Sequence, residues 1–127
     1  MTEDEVIAHW RKGSSNEVQS AKLLCAGGQY AGALFHCHLA VEKALKALYM
    51  EHRNKEAPLT HDLLQIALQI ERPWTEADKK LFADLTGYAV AARYDDPLWA
   101  EREATVINVH RWMERIESLL STFFHAA

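Results

Sequence analysis

The stretch Tyr30–Tyr49, YAGALFHCHLAVEKALKALY, constrains the fold more than any other part of this chain. Tyr30, Leu34, Cys37, Val41, Leu45 and Leu48 recur at steps of three and four, the spacing of one face of an α-helix. His38, Glu42 and Lys46 recur at steps of four beside them, with Lys43 adjacent. A four-residue step drifts only about 40° around a helix, so these three side chains form one polar stripe. Phe35, Leu39, Ala40, Ala44 and Ala47 border the stripe, which places part of it in the interior. Buried charges need partners, and the rest of the chain must supply them.

The flanking segments read as further helices. Residues 3–26 form the first, opened by Thr2 and Glu5 at capping-box spacing. Its middle, GSSNE from Gly13 to Glu17, is poor helix material, but packing can override propensity and the helix is expected to run through. Gly27-Gly28 ends it. The second helix is the opening stretch, extended to about Arg53. Pro58 breaks the chain, and Thr60 is expected to cap a short third helix over residues 61–71, with Leu63, Leu64, Ala67 and Ile70 inward. Thr75 and Asp78 start a fourth helix at about 76–92, followed by a turn at Arg93–Pro97. The last helix is expected at about 100–124, with Val106, Val109, Met113, Ile116, Leu120 and Phe123 as a heptad-like seam. The expected architecture is all-α: an up-and-down bundle of four long helices plus one short helix, forming a single domain over residues 1–127.

Composition narrows the function. A net charge of −4 argues against wrapping duplex DNA by bulk electrostatics, while leaving room for a local basic pocket. Cys25 and Cys37 sit at apolar helical positions and read as buried free thiols. The acidic opening TEDEV does not resemble a signal peptide and no apolar run is long enough for a bilayer, so a cytoplasmic location without a membrane partner is expected. Seven histidines invite a metal reading. No Glu-x-x-His pair occurs, however, and His36 and His38, two apart, point to nearly opposite sides of a helix; neither a metal nor a cofactor is expected. Nucleophile-elbow and phosphate-loop motifs are missing.

The remaining chemistry lies in polar groups at helix flanks and ends. These are His38, Glu42, Lys43 and Lys46 on the second helix, His61 at the start of the third, and Arg93 and Tyr94 at the end of the fourth. Lys and Arg suit phosphate oxygens, and Tyr or His suits stacking on a base. Each also has a structural reading. Lys43 can be a solvated flank, Glu42 can pair with Arg93 to satisfy a buried charge, and His61 can bond a backbone group.

At these residues the chain resembles the HEPN domain family (higher eukaryotes and prokaryotes nucleotide-binding). The matching elements come in order: Gly28 and Tyr30, Val41 to Ala47 (VEKALKA), Thr60 to Leu63 (THDL), and the turn Arg93 to Asp96 (RYDD), with its proline arriving at Pro97. The resemblance covers about residues 17–97. It implies an all-α bundle, usually a homodimer, associated with nucleotides or RNA. Many members pair with a minimal nucleotidyltransferase in toxin–antitoxin systems, and many others are ribonucleases. The ribonuclease branch carries an Arg, four to six residues, then a His. Here Arg53 to His61 and Arg102 to His110 each enclose seven residues, so that signature is not found. The leading expectation is a protein that binds a nucleotide or an RNA phosphate through Lys43, Lys46 and Arg93. His61 and Tyr94 would shape the pocket, with His38 and Glu42 in support. The alternative is a non-catalytic dimerisation or interaction module with a buried charge network. A third reading is a metal-independent ribonuclease using His61 or His110 as base, with Arg93 or Arg102 on the phosphate.

Overall fold

The structure, a computed structural model, describes residues 1–124. Among the described residues the chain forms six helices: α1 (Glu3–Ala26), α2 (Tyr30–Arg53), α3 (Leu63–Ala67), α4 (Glu76–Arg93), α5 (Pro97–Glu103) and α6 (Val106–Phe123). Among the described residues no helix is long and apolar enough to cross a membrane. The four long helices alternate in direction. Ser14 meets Ala40 and Arg11 meets Glu51 across α1 and α2. Cys25 meets His110 and Lys22 meets Glu117 across α1 and α6, while Trp74, just before α4, packs on Phe123 and Tyr88 of α4 on Trp112 of α6. In each pair one residue number rises as the other falls, which is the register of antiparallel neighbours.

The expected all-α bundle is what forms, and α2 is its centre, packed against α1, α3, α4 and α6. Leu34, Cys37, Val41 and Leu45 are fully buried and Leu48 nearly so. Each large apolar side chain so removed from water contributes about 1.5–3 kcal/mol. The polar middle of α1 stays helical because it is where α1 docks on α2. Ser14 Oγ, buried, donates to the Ala40 carbonyl at 2.7 Å, and Glu17 receives both His36 and Lys43. Gly13 allows the close approach, since a Cβ there would lie 3.0 Å from Lys43 Cδ. α1 then ends in a Schellman turn: Gly28 N–H bonds the Cys25 carbonyl and Gln29 N–H the Leu24 carbonyl, with Gly28 at φ 77°.

Two boundaries differ from expectation. The third helix is Leu63–Ala67, shorter than 61–71, and its cap is Asp62 rather than Thr60. Thr60 Oγ1 instead accepts from Asp62 N–H and donates to Gln65, while Asp62 accepts from Gln65 N–H. His61 is thereby left outside the helix. The expected last helix is two helices, so the bundle has a second short helix. Asp96 and Pro97 start α5 earlier than residue 100. Thr105 then caps α6 through Asn108 N–H, and Asn108 Nδ2 donates back to the Glu103 carbonyl, which fixes the corner. The seam itself is real, with Val109, Met113, Ile116 and Phe123 buried and Val106 displaced outward at the new helix start.

Candidate functional site

The polar stripe of α2 closes on the segment before α3. His38, Glu42 and Lys46 are 2%, 5% and 6% exposed, a rare depth for two charged groups on one helix. Lys46 Nζ donates to Glu42 Oε2 at 3.0 Å, an i, i+4 pair made within the helix. It also lies 5.4 Å from the centre of the Trp10 ring of α1, which supplies a second, softer counter-field. His61 completes the group from the other side. Its Nδ1 lies 3.0 Å from both Glu42 oxygens, and its backbone carbonyl accepts from His38 Nε2 at 2.9 Å. The Glu42 carboxylate therefore has cationic or N–H partners on both oxygens, as a buried charge requires.

The two histidines differ in state. A carbonyl only accepts, so His38 carries its proton on Nε2. Burial pushes the His38 pKa below the ordinary imidazole value, outweighing the opposite pull of the His61 carbonyl and of Glu42. Its Nδ1 is then a lone pair without a hydrogen-bond partner, 3.8 Å from Glu42 Oε1, a proximity rather than an ion pair. His61 has the reverse arrangement. Nδ1–H points at the carboxylate, so Nε2 is the free nitrogen of a side chain that is 67% exposed. A buried acid thus fixes the orientation of an imidazole open to solvent.

The other candidate residues do not join this group. Arg93 ends α4 and is exposed; its charge acts on His38, and it lines a cavity of about 260 Å³ with Ala31, Gly32, Phe35 and Ala92. Tyr94, the residue after α4, is 78% exposed. Lys43 is not brought to the cluster. It faces α1, where its Nζ lies 3.2 Å from Glu17, and Glu17 also holds His36 Nδ1 at 2.7 Å. Glu42 pairs with Lys46 and His61 instead of Arg93. His110 lies on α6 against Cys25, at 3.9 Å, away from the stripe. Trp10 and Glu17 are the participants that sequence reasoning misses. Both sit on α1, more than 25 residues from the lysines they meet, and no local spacing marks such a pairing.

What the arrangement can do follows from these positions. His61 Nε2 and the Arg93 guanidinium are the groups free to meet an anion, while Glu42, Lys46 and His38 hold the imidazole. A family model for the HEPN domain matches residues 7–123, nearly all of the chain and well beyond the segment that carries the motifs. No curated protein and no solved structure matches. With the family's helical fold, and with the VEKALKA and THDL elements meeting at one buried carboxylate, the chain belongs to the HEPN domain family.

Proposed function

We propose that this HEPN-domain chain binds the phosphate of a nucleotide or an RNA through His61 and Arg93, whose charges both act on the buried His38. The observation that carries the reading is the Glu42–His61 pair, in which a carboxylate 6% exposed in its side chain fixes an imidazole 67% exposed. A protonated imidazole in that pose donates from Nε2 to a phosphate oxygen, and Arg93 supplies a second, bidentate donor. Lys46 acts from behind, as the ion-pair partner of Glu42. The family setting extends the proposal to a cytoplasmic homodimer or a pairing with a minimal nucleotidyltransferase. Exposed Val90, Leu98 and Ile107, at 50%, 66% and 72%, support an apolar interface at that end of the bundle.

Isothermal titration with a nucleotide panel is the test. His61→Ala is expected to weaken binding about ten- to a hundredfold, the loss of one hydrogen bond to a charged group. No heat with any nucleotide at near-millimolar protein would overturn the proposal and leave the interaction module, with its charge network purely structural. The same geometry favours a second reading, a metal-independent ribonuclease. A carboxylate on Nδ1 and a free Nε2 is the arrangement of a general base. Cleavage of a mixed RNA without divalent cations, lost in His61→Ala, would establish it.

A further inference from the structure

We propose that the Cys25 thiol, with His110 as its base, is a covalent modification site that takes a cationic low-molecular-weight disulfide from a cavity between α1 and α6. The cavity is about 590 Å³. Lys22 and Cys25 line it from α1, and His110, Met113, Glu114 and Glu117 from α6. Helical steps set both walls. Ala21 and Cys25 are one turn apart on the buried side of α1, and His110, Glu114 and Glu117 share one face of α6. Cys25 is 7% exposed, so its sulfur is reached through the cavity. His110 is exposed, and its Nε2 lies 3.9 Å from Cys25 Sγ, within reach of a sulfur hydrogen bond.

A thiol beside an imidazole is an activated nucleophile, because the thiolate is the reacting species. With its own proton on Nδ1, His110 accepts the Cys25 proton at Nε2. The thiolate attacks one sulfur of the incoming disulfide. A new S–S bond forms at Sγ as the old one breaks, and the departing thiolate takes the electron pair and then the proton held by His110. Cys25 is oxidised and one half of the reagent is reduced to a free thiol, so no further oxidant enters. Among the described residues no three His, Cys, Asp or Glu side chains converge on a metal ion, which leaves the pair to act as thiol and base. Lys22 bridges Glu117 at 3.3 Å, while Glu114 makes no salt bridge among the described residues. The thiol–imidazole pair is neutral in total, so the carboxylates leave the cavity one negative charge in excess, which favours a cationic reagent. Cys37 is the internal reference. It is fully buried, and burial, with the charges of Cys25 and Glu117, pushes its thiol up to about 12.

Exposure of the folded chain to cystamine, a disulfide with two ammonium groups, tests this at neutral pH, read by intact mass and peptide mapping. One adduct per chain is expected, on Cys25, with Cys37 unmodified. An ordinary thiol is only a few per cent thiolate at neutral pH, so a paired base raises the reactive fraction by at most about thirtyfold. His110→Gln keeps a polar side chain but takes up no proton, and is expected to slow the reaction about tenfold. Helical circular dichroism confirms that the variant folds. Cystamine is also expected to outpace the anionic Ellman's reagent, each rate taken relative to that with free 2-mercaptoethanol, and added salt should narrow the difference. Equal rates in the parent and His110→Gln would overturn the role of His110. Equal labelling of Cys25 and Cys37, or no adduct until guanidinium unfolds the chain, would overturn the site. An anionic reagent that reacts as fast as cystamine would overturn the cationic class while leaving Cys25 as the site.

Discussion

Glu42→Gln tests the buried cluster most directly. The residue is 5% exposed, and its carboxylate meets Lys46 Nζ and His61 Nδ1, each at 3.0 Å. Glutamine is nearly isosteric, so packing is retained and the change is one of charge. Lys46, 6% exposed, would keep its ammonium with the Trp10 ring at 5.4 Å as its remaining favourable neighbour. Breaking one side of a buried ion pair costs about 3–5 kcal/mol. The glutamine oxygen still accepts a hydrogen bond, which places the expectation at the lower end, about 3 kcal/mol. With a urea m-value of about 1–3 kcal/mol/M, the unfolding midpoint should fall by about 1–3 M. Removing both charges, as Glu42→Leu with Lys46→Leu, leaves no unpaired ion and is expected to lie within about 1 kcal/mol of the parent. Urea unfolding followed by circular dichroism reads both. A Glu42→Gln variant within about 0.5 kcal/mol of the parent, or a double variant as unstable as the single one, would refute the reasoning.

Two further predictions concern stability. Burial holds the His38 pKa below 6.5, so the unfolded chain binds a proton there that the folded chain refuses. The stability contributed by neutral His38 is therefore fully present above pH about 6.5 and is lost as pH falls through the depressed folded value, with a slope of at most about 1.4 kcal/mol per pH unit. His38→Gln, which can still donate to the His61 carbonyl, should flatten that part of the urea-stability profile; parallel profiles for parent and variant would contradict it. Gly28, at φ 77°, should lose about 1 kcal/mol on substitution by alanine, while Gly27→Ala, at φ −88°, should cost less. Thermal unfolding of the two variants compares them, and equal losses would remove the strain argument.

The helices were legible where local and tertiary preferences agree. The three- and four-residue spacing of Leu34, Cys37, Val41, Leu45 and Leu48 identifies α2 because these residues face neighbouring elements that bury them. GSSNE shows the opposite balance. Its propensity is poor, and it is helical because Ser14 and Glu17 find partners on α2. The break between α5 and α6 depends on one cap, Thr105, and one side chain, Asn108, bonding back to Glu103. A hydrophobic seam that runs through that point hides it, since periodicity reports the buried face and not the continuity of the backbone. At the site, the Glu42–Lys46 pair was readable from its i, i+4 spacing, whereas Trp10 over Lys46 was not, because helix docking alone brings them together.

The start of α3 decides whether these groups make a site. Thr60 and Asp62 are both good N-caps, and local chemistry alone does not choose between them. Were Thr60 the cap, His61 would be the first helical residue and its carbonyl would be directed along the helix toward the N–H of residue 65. In the structure that N–H bonds the Asp62 side chain, and the His61 carbonyl is left to accept from His38 Nε2. The buried imidazole thus gains its one hydrogen bond among the described residues, and the same residue turns its own ring onto Glu42. One backbone position satisfies two buried groups of α2, which offsets the helical turn that α3 gives up. The exposed imidazole and the short helix behind it therefore have one physical cause, the need of a buried polar stripe for partners.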